Sequence, residues 1–294
     1  MTFVLGLGAV LLALFMYAAW IEPAMRLRVQ RYDIALPGWG ARAPVTLVLI
    51  ADLHAGAPQV SLRRVRRIVR QSNSLGADVA VLLGDYAADH ALVWSSYTKR
   101  EIIAELAHLR APLGTFAVLG NHDWWQDPEA ARTARLPEAA TALEAEGISL
   151  LENAAVPLRD GADRFWLAGL ADQRPLSLDP AEDGFDDIDL AMAEVPADCP
   201  AILLAHEPDI FPDIPARALL TLSGHTHGGQ VRIGRWSPVI MAAETERYAY
   251  GVYEHGAQRL VVSGGLGCSD VPLRLGMPPE ITLVTLRGTG GEDL

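Results

Sequence analysis

Cysteine is scarce: the 294-residue chain has two, Cys199 and Cys268. They lie too far apart for a CxxC motif and are too few for a disulfide framework. Basic charge is scarce as well, with 24 Lys and Arg against 36 Asp and Glu and a formal charge of -12. That balance disfavours sequence-independent nucleic-acid binding, whose affinity comes from cationic neutralisation of phosphates. Lysine is nearly absent, Lys99 being the single one, a skew that a codon-composition bias accounts for. Charged residues make up only 20% of the chain and hydrophobic residues 50%, which excludes collagen, coiled-coil and solvated low-complexity classes. The length is ample to bury a core in one large domain or two small ones.

Charge is missing altogether from Met1 to Ile21. As a helix this stretch reaches about 30 Å, the thickness of a hydrocarbon core. Tyr17 and Trp20 fall near its end, where amphipathic rings suit an interface, and Arg26, Arg28 and Arg31 follow. A cleaved signal peptide normally opens with basic residues and has a shorter apolar run, and a buried core helix usually shows a polar stripe. A retained membrane anchor fits better than either. The positive-inside rule then places the arginines, and the rest of the chain, in the cytoplasm. The expected organisation is an anchor over residues 1–22, a linker over 23–44 and one domain over 45–294.

Within that domain, short apolar runs rich in β-branched residues are each closed by a polar cluster. Val45 to Ile50, Val79 to Leu83, Thr115 to Leu119, Phe165 to Leu167, Ala201 to Leu204, Leu219 to Leu222, Leu260 to Val262 and Ile281 to Leu286 are expected strands. Helical patterns such as Ser61 to Gln71, Arg100 to Arg110 and Pro137 to Glu146 lie between several of them. Strands alternating with helices predict an α/β body, with hairpin pairing toward the carboxyl end.

The residues that follow these strands carry the chemistry. Asp52-Leu53-His54 follows the first, Gly84-Asp85 the second and Gly120-Asn121-His122-Asp123 the third; later strands lead into His206-Glu207-Pro208 and into Gly224-His225-Thr226-His227. In α/β sheets the loops at the carboxyl ends of strands form the ligand crevice, so groups far apart in sequence can converge there. Clustered histidines and carboxylates offer the nitrogen and oxygen ligands that divalent transition metals accept, and the lack of nearby thiolates argues against a structural zinc cluster.

This ordered set of D-x-H, G-D, G-N-H-D, H and G-H-x-H resembles the signature of the calcineurin-like metallophosphoesterases, over about residues 45 to 286. The anchor and the endings SGHTHGGQ and GGLGCSDVPLRLGMPPEITLVTL look like the membrane-anchored YkuE/YaeI-like branch. The resemblance implies a four-layer α/β/β/α sandwich, preceded here by the transmembrane helix, around two divalent ions drawn from Mn, Fe, Zn or Co. Carried over by motif, Asp52, His54, Asp85 and His227 would hold one ion, and Asp85, Asn121, His206 and His225 the other. His122 would protonate the leaving oxygen or stabilise the transition state. Asp123 would orient His122 by accepting its other N–H, unless it is an ordinary loop carboxylate. Two departures stand out: Ala51 precedes the first aspartate, and Ala88 ends a GDxxD pattern that is not kept, with Asp89 one step later.

The implied activity is hydrolysis of a phosphodiester or pyrophosphate bond, with a membrane-associated UDP-diacylglucosamine-type lipid precursor as the sharpest version. A broad phosphodiesterase acting on soluble nucleotides or cell-envelope polymers is the enzymatic alternative, and a non-catalytic scaffold the alternative of another class. Arg63, Arg66, Arg67 and Arg70 share one face of a predicted helix, which either meets anionic lipid or substrate or is simply solvated. Tyr86, Trp94, Tyr97, Trp124 and Trp125 follow two of the metal motifs and either wall a pocket or pack in the core.

Overall fold

The computed structural model describes residues 2–90, 92–133, 135–176, 184–234, 236–238 and 248–289. Met1 of the expected anchor and the last residues of the domain expected over 45–294 lie outside them. In chain order the main strands are β1 (Arg28–Ala35), β2 (Val45–Ile50), β3 (Val79–Leu83), β4 (Thr115–Val118), β5 (Ser149–Leu150) and β6 (Ala154–Leu158). They continue as β7 (Phe165–Gly169), β8 (Ala201–Leu204), β9 (Ala218–Ser223), β10 (Gly251–His255), β11 (Gln258–Val262) and β12 (Glu280–Arg287). Each expected apolar run falls in one of these, except that the strand expected to end at Leu119 stops at Val118.

The strands form two six-stranded sheets, ordered β1-β12-β2-β3-β4-β5 and β10-β11-β9-β8-β7-β6. β2, β3 and β4 are mutually parallel, as are β7, β8, β9 and β11; β10 and β11 make the hairpin expected near the carboxyl end. Strands buried on both faces read as continuous apolar runs, which is why these segments are legible. One face of each sheet meets the other sheet, with Leu47, Leu49, Val81 and Val118 packed against Leu167, Leu204, Leu222 and Val261. The outer face of the first sheet is covered by the helices Leu62–Asn73, Lys99–Leu106 and Glu138–Ala145, through residues such as Ile68, Ile103 and Leu143. Met192, Val195 and Phe211 cover the second from short helical turns and loops. The result is the α/β/β/α sandwich.

One segment differs from expectation. Arg28–Ala35, placed within a linker, is the edge strand β1, paired in parallel with β12 from Arg28↔Glu280 to Ala35↔Arg287. Its Arg28, Arg31 and Asp33 give it no apolar run, as befits an edge that must discourage further pairing.

A helix over Thr2–Met16 continues through a π-turn at Tyr17–Ile21 into Glu22–Met25. Val4–Met25 is apolar and long enough to cross a membrane, the one such helix among the described residues, consistent with single-pass anchoring. The π-turn has a local cause. Pro23 has no N–H and its ring crowds the carbonyl of Ala19, four residues back. Gln59 Nε2 donates to that freed carbonyl at 2.9 Å. The backbone N–H of Arg274 donates to Ala18 O at 2.9 Å, and the Arg64 guanidinium donates to Ala24 O and, at 2.6 Å, to Arg26 O. Ala18, Glu22 and Pro23 are buried, so the end of the anchor is docked onto the domain.

Candidate metal centre

The metal motifs end β2, β3, β4, β8 and β9, all at carboxyl ends of parallel strands, so the two sheets deliver them to one rim. The loops come very close. A Cβ on Gly84 would sit 2.4 Å from the backbone N of Gly120, and one on Gly120 2.4 Å from Asp85 Oδ1; only glycine fits either position. Asp52, His54, Asp85, His225 and His227 all have positive φ, between 38° and 67°. For non-glycine residues that is a costly conformation, of the kind that functional sites store.

Asp52, His54, Asp85 and His227 present ligand atoms within 4.8 Å of one another, and His206, Glu207 and His225 form a second such group. Asp85 Oδ2 stands 3.4 Å from His54 Nε2 on one side and 3.4 Å from His206 Nε2 on the other. Asn121 Oδ1 lies 3.1 Å from both His206 Nε2 and His225 Nδ1. His206 Nδ1 lies 2.6 Å from Leu83 O. Donating there orients the ring with its Nε2 edge toward Asp85.

The donor set fits a pair of divalent ions. His54 Nε2 and His227 Nε2 face each other at 3.2 Å, and Asp52 Oδ2 and His225 Nε2 are buried without partners among the described residues. Burial pushes Asp52 up to about 6 and holds His225 and His227 well below the usual imidazole range, so these two rings are neutral with lone pairs to offer. At Asp85 burial also opposes charge, but His206 and His122 outweigh it and hold the carboxyl well below its ordinary value. Together the groups form two clustered ligand sets suited to a binuclear site.

Against this geometry, the sequence profile of the calcineurin-like phosphoesterase family matches residues 45–229. The chain belongs to that family. It is 29% identical over 246 residues to the uncharacterized metallophosphoesterase YkuE of Bacillus subtilis, covering 83% of this chain and 79% of that protein. It is 30% identical over 250 residues to the phosphodiesterase YaeI of Escherichia coli, covering 83% of each. A bovine transmembrane protein with metallophosphoesterase domain is 33% identical over 256 residues, covering 82% of this chain; the chain spans about half of that relative, 52%. This phosphoesterase is thus a metal-dependent hydrolase related to the YkuE/YaeI type.

The carboxylate beside the His122 ring is Asp89 and not the expected Asp123. Asp123 does not touch the His122 ring. Its carboxylate accepts from the backbone N–H groups of Asp85 at 2.8 Å, Tyr86 at 3.2 Å and Gly120 at 3.1 Å, and from Lys99 Nζ at 2.8 Å. Four donors saturate it, so it braces the two metal loops instead. The partner of His122 Nδ1 is Asp89 Oδ2, at 2.9 Å. His122 Nε2 lies 3.3 Å from Ser269 Oγ, in a pocket also lined by Asp85, Asn121, Trp125, His225 and Asp270. Tyr86 and Trp124 are buried in the core; of the candidate aromatics, Trp125 alone lines this pocket.

Sequence reasoning also passed over Lys99. Its ion pair with Asp123 is buried on both sides, with side-chain exposures of 7% and 0%. Removing one partner of such a pair leaves an uncompensated buried charge, which typically costs about 3–5 kcal/mol. Lys99→Met should therefore lower unfolding stability by about that amount, and adding Asp123→Asn should restore part of it. Denaturant unfolding checks this: a loss below about 1 kcal/mol, the scale of an exposed pair, would count against the bracing role.

Proposed function

We propose that this phosphoesterase hydrolyses a phosphodiester or pyrophosphate bond in a membrane-resident substrate, of which a UDP-diacylglucosamine-type precursor is the sharpest version. The observation that carries the reading is the docking of the anchor beside the metal centre. Arg274 joins the two: its backbone N–H holds Ala18 of the anchor, while its buried guanidinium donates to Gly264 O and Gly267 O and lies 3.3 Å from His227 Nδ1. A segment packed this way is better suited to retention than to cleavage, and the positive-inside rule favours a cytoplasmic catalytic domain.

Asp52, His54, Asp85 and His227 would hold one ion and Asp85, Asn121, His206 and His225 the other; when bound, the pair supplies a nucleophile from water and offsets charge on the phosphate. His122, held at Nδ1 by Asp89, presents Nε2 to the pocket as the proton donor for the leaving oxygen. Burial opposes a proton on His122, but Asp85 and Asp89 outweigh it and push the imidazole up to about 9. Cations held by Asp85 would cancel its part, which would leave the Asp89 contribution as the durable one.

Arg63, Arg66, Arg67 and Arg70 are exposed on the helix Leu62–Asn73, while Val65, Ile68 and Val69 are buried. Arg66 is held by Glu105 at 2.6 Å, which leaves three arginines to meet anionic lipid beside the anchor's exit. The test is turnover by the full-length protein in anionic vesicles containing a phosphodiester lipid, against a water-soluble diester. We expect a strong preference for the vesicle substrate. Changing the four arginines to Gln should lower vesicle turnover by at least about 5-fold at low salt, the worth of a single arginine at the surface at about 1 kcal/mol each, and have little effect at high salt, where the attraction is screened. Equal rates on both substrates, insensitive to salt and to the arginines, would favour a soluble substrate.

A further inference from the structure

An apolar groove of about 410 Å³ runs between the anchor and the domain, lined on one side by Met16 and Trp20, on another by Leu92 and Trp94, and on a third by Val271 and Leu273. Its volume lies within the range of small-ligand sites, roughly 300–1,000 Å³. Trp20 and Trp94 meet across it with ring centroids 5.4 Å apart. The side formed by Met16 and Trp20 belongs to the helix long and apolar enough to span a membrane, so the groove lies directly against it.

Two separate stretches of chain join the lining of the groove to the surroundings of the catalytic pocket. Asp270 lines that pocket, and the next residue, Val271, lines the groove. Asp89 holds His122, and the next residue, His90, lines the groove. One residue step on each stretch thus separates the proton donor's surroundings from the lining of an apolar groove packed against the membrane-spanning helix. A chain lying in the groove would have its polar end at Asp270 and Asp89, beside Ser269 and His122.

We infer that this groove receives a hydrocarbon chain of the substrate and thereby draws a lipid-borne phosphate ester from the bilayer to the metal centre. The inference rests on the proposed membrane substrate and adds where its tail lies. The polar lining of the catalytic pocket takes the phosphate, while Leu92, Trp94, Val271 and the anchor take the chain. Specificity for a lipid over a soluble nucleotide then comes from apolar burial in the groove and not from a further polar contact.

The test uses the full-length protein in nanodiscs and a series of p-nitrophenyl alkyl phosphodiesters from methyl to octyl. Transfer of one methylene from water to an apolar site is worth about 4-fold in affinity at most. Allowing for competition from the bilayer, kcat/KM should rise about 100-fold from the methyl to the octyl ester. Val271→Trp, which fills the groove, and Leu92→Glu, which places a charge in it, should each cut the octyl-to-methyl ratio by about 10-fold. Each ratio is taken within one preparation, so partial misfolding cancels, and the bilayer is common to all the proteins. A flat chain-length profile in the parent protein, or a steep one that both variants retain, would overturn the groove assignment. The membrane-substrate reading is judged separately by the vesicle comparison above, and stands or falls whichever way this profile runs.

Discussion

Asp85→Ala is expected to abolish turnover more completely than any other single ligand change and to leave at most about one loosely held ion per chain. The reason is position. Asp85 Oδ2 is equidistant, at 3.4 Å, from a histidine nitrogen of each ligand set, whereas Asp52 and His227 belong to one set only. A bridging carboxylate contributes a ligand to both ions and its negative charge damps their mutual repulsion. The same side chain also accepts the His122 backbone N–H through Oδ1 at 3.0 Å, so its loss loosens the loop that carries the proton donor. We expect turnover to fall by at least about 10³-fold, at or beyond the upper end of the 10²- to 10³-fold cost of removing one electrostatic stabiliser. Elemental analysis and steady-state kinetics check this; two retained ions with near-normal turnover would remove Asp85 from the bridging position.

His122→Ala should behave in the opposite way with respect to metal. Both ion sets stay intact, and kcat falls by about 10²- to 10⁴-fold, the usual contribution of a positioned general acid. The loss should shrink for substrates whose leaving groups need little protonation. Asp89→Asn should give a smaller loss with a distinctive pH signature. The Asp89 carboxylate favours the imidazolium and raises the His122 pKa, so without its charge the protonated acid is lost at lower pH. The alkaline limb of the kcat profile should accordingly move toward neutrality. Loss of metal in His122→Ala, or an unmoved limb in Asp89→Asn, would contradict these roles.

Strands such as Val79–Leu83 and Ala201–Leu204 are legible because both faces are buried and the run is continuous. The rim that gathers Asp52, Asp85, Asn121, His206 and His225 follows from where those strands end. β1 was illegible because an edge strand with alternating charges has no apolar signature. Asp89 could not be chosen over Asp123 from sequence, since the choice depends on how the loop after β3 turns back over the His122 ring. Proximity in sequence favoured Asp123, but that carboxylate is saturated by three backbone amides and Lys99. Lys99 itself carried one weak signal, as the single lysine among arginines. Gln59, Arg64 and Arg274, which hold the anchor, lie far from it in sequence and share no spacing with it. Only the defect at Pro23 hints that a carbonyl of the anchor needs an outside donor.

The central claim is that turnover depends on a binuclear site assembled at this rim, and metal titration tests it most directly. The full-length protein, stripped by a chelator, should be inactive toward a simple phosphodiester. On stepwise addition of Mn, Fe, Co or Zn, activity should rise and level off at two ions bound per chain, with at least one of these metals restoring full turnover. A plateau at one ion per chain, or undiminished turnover in the stripped protein, would contradict the account.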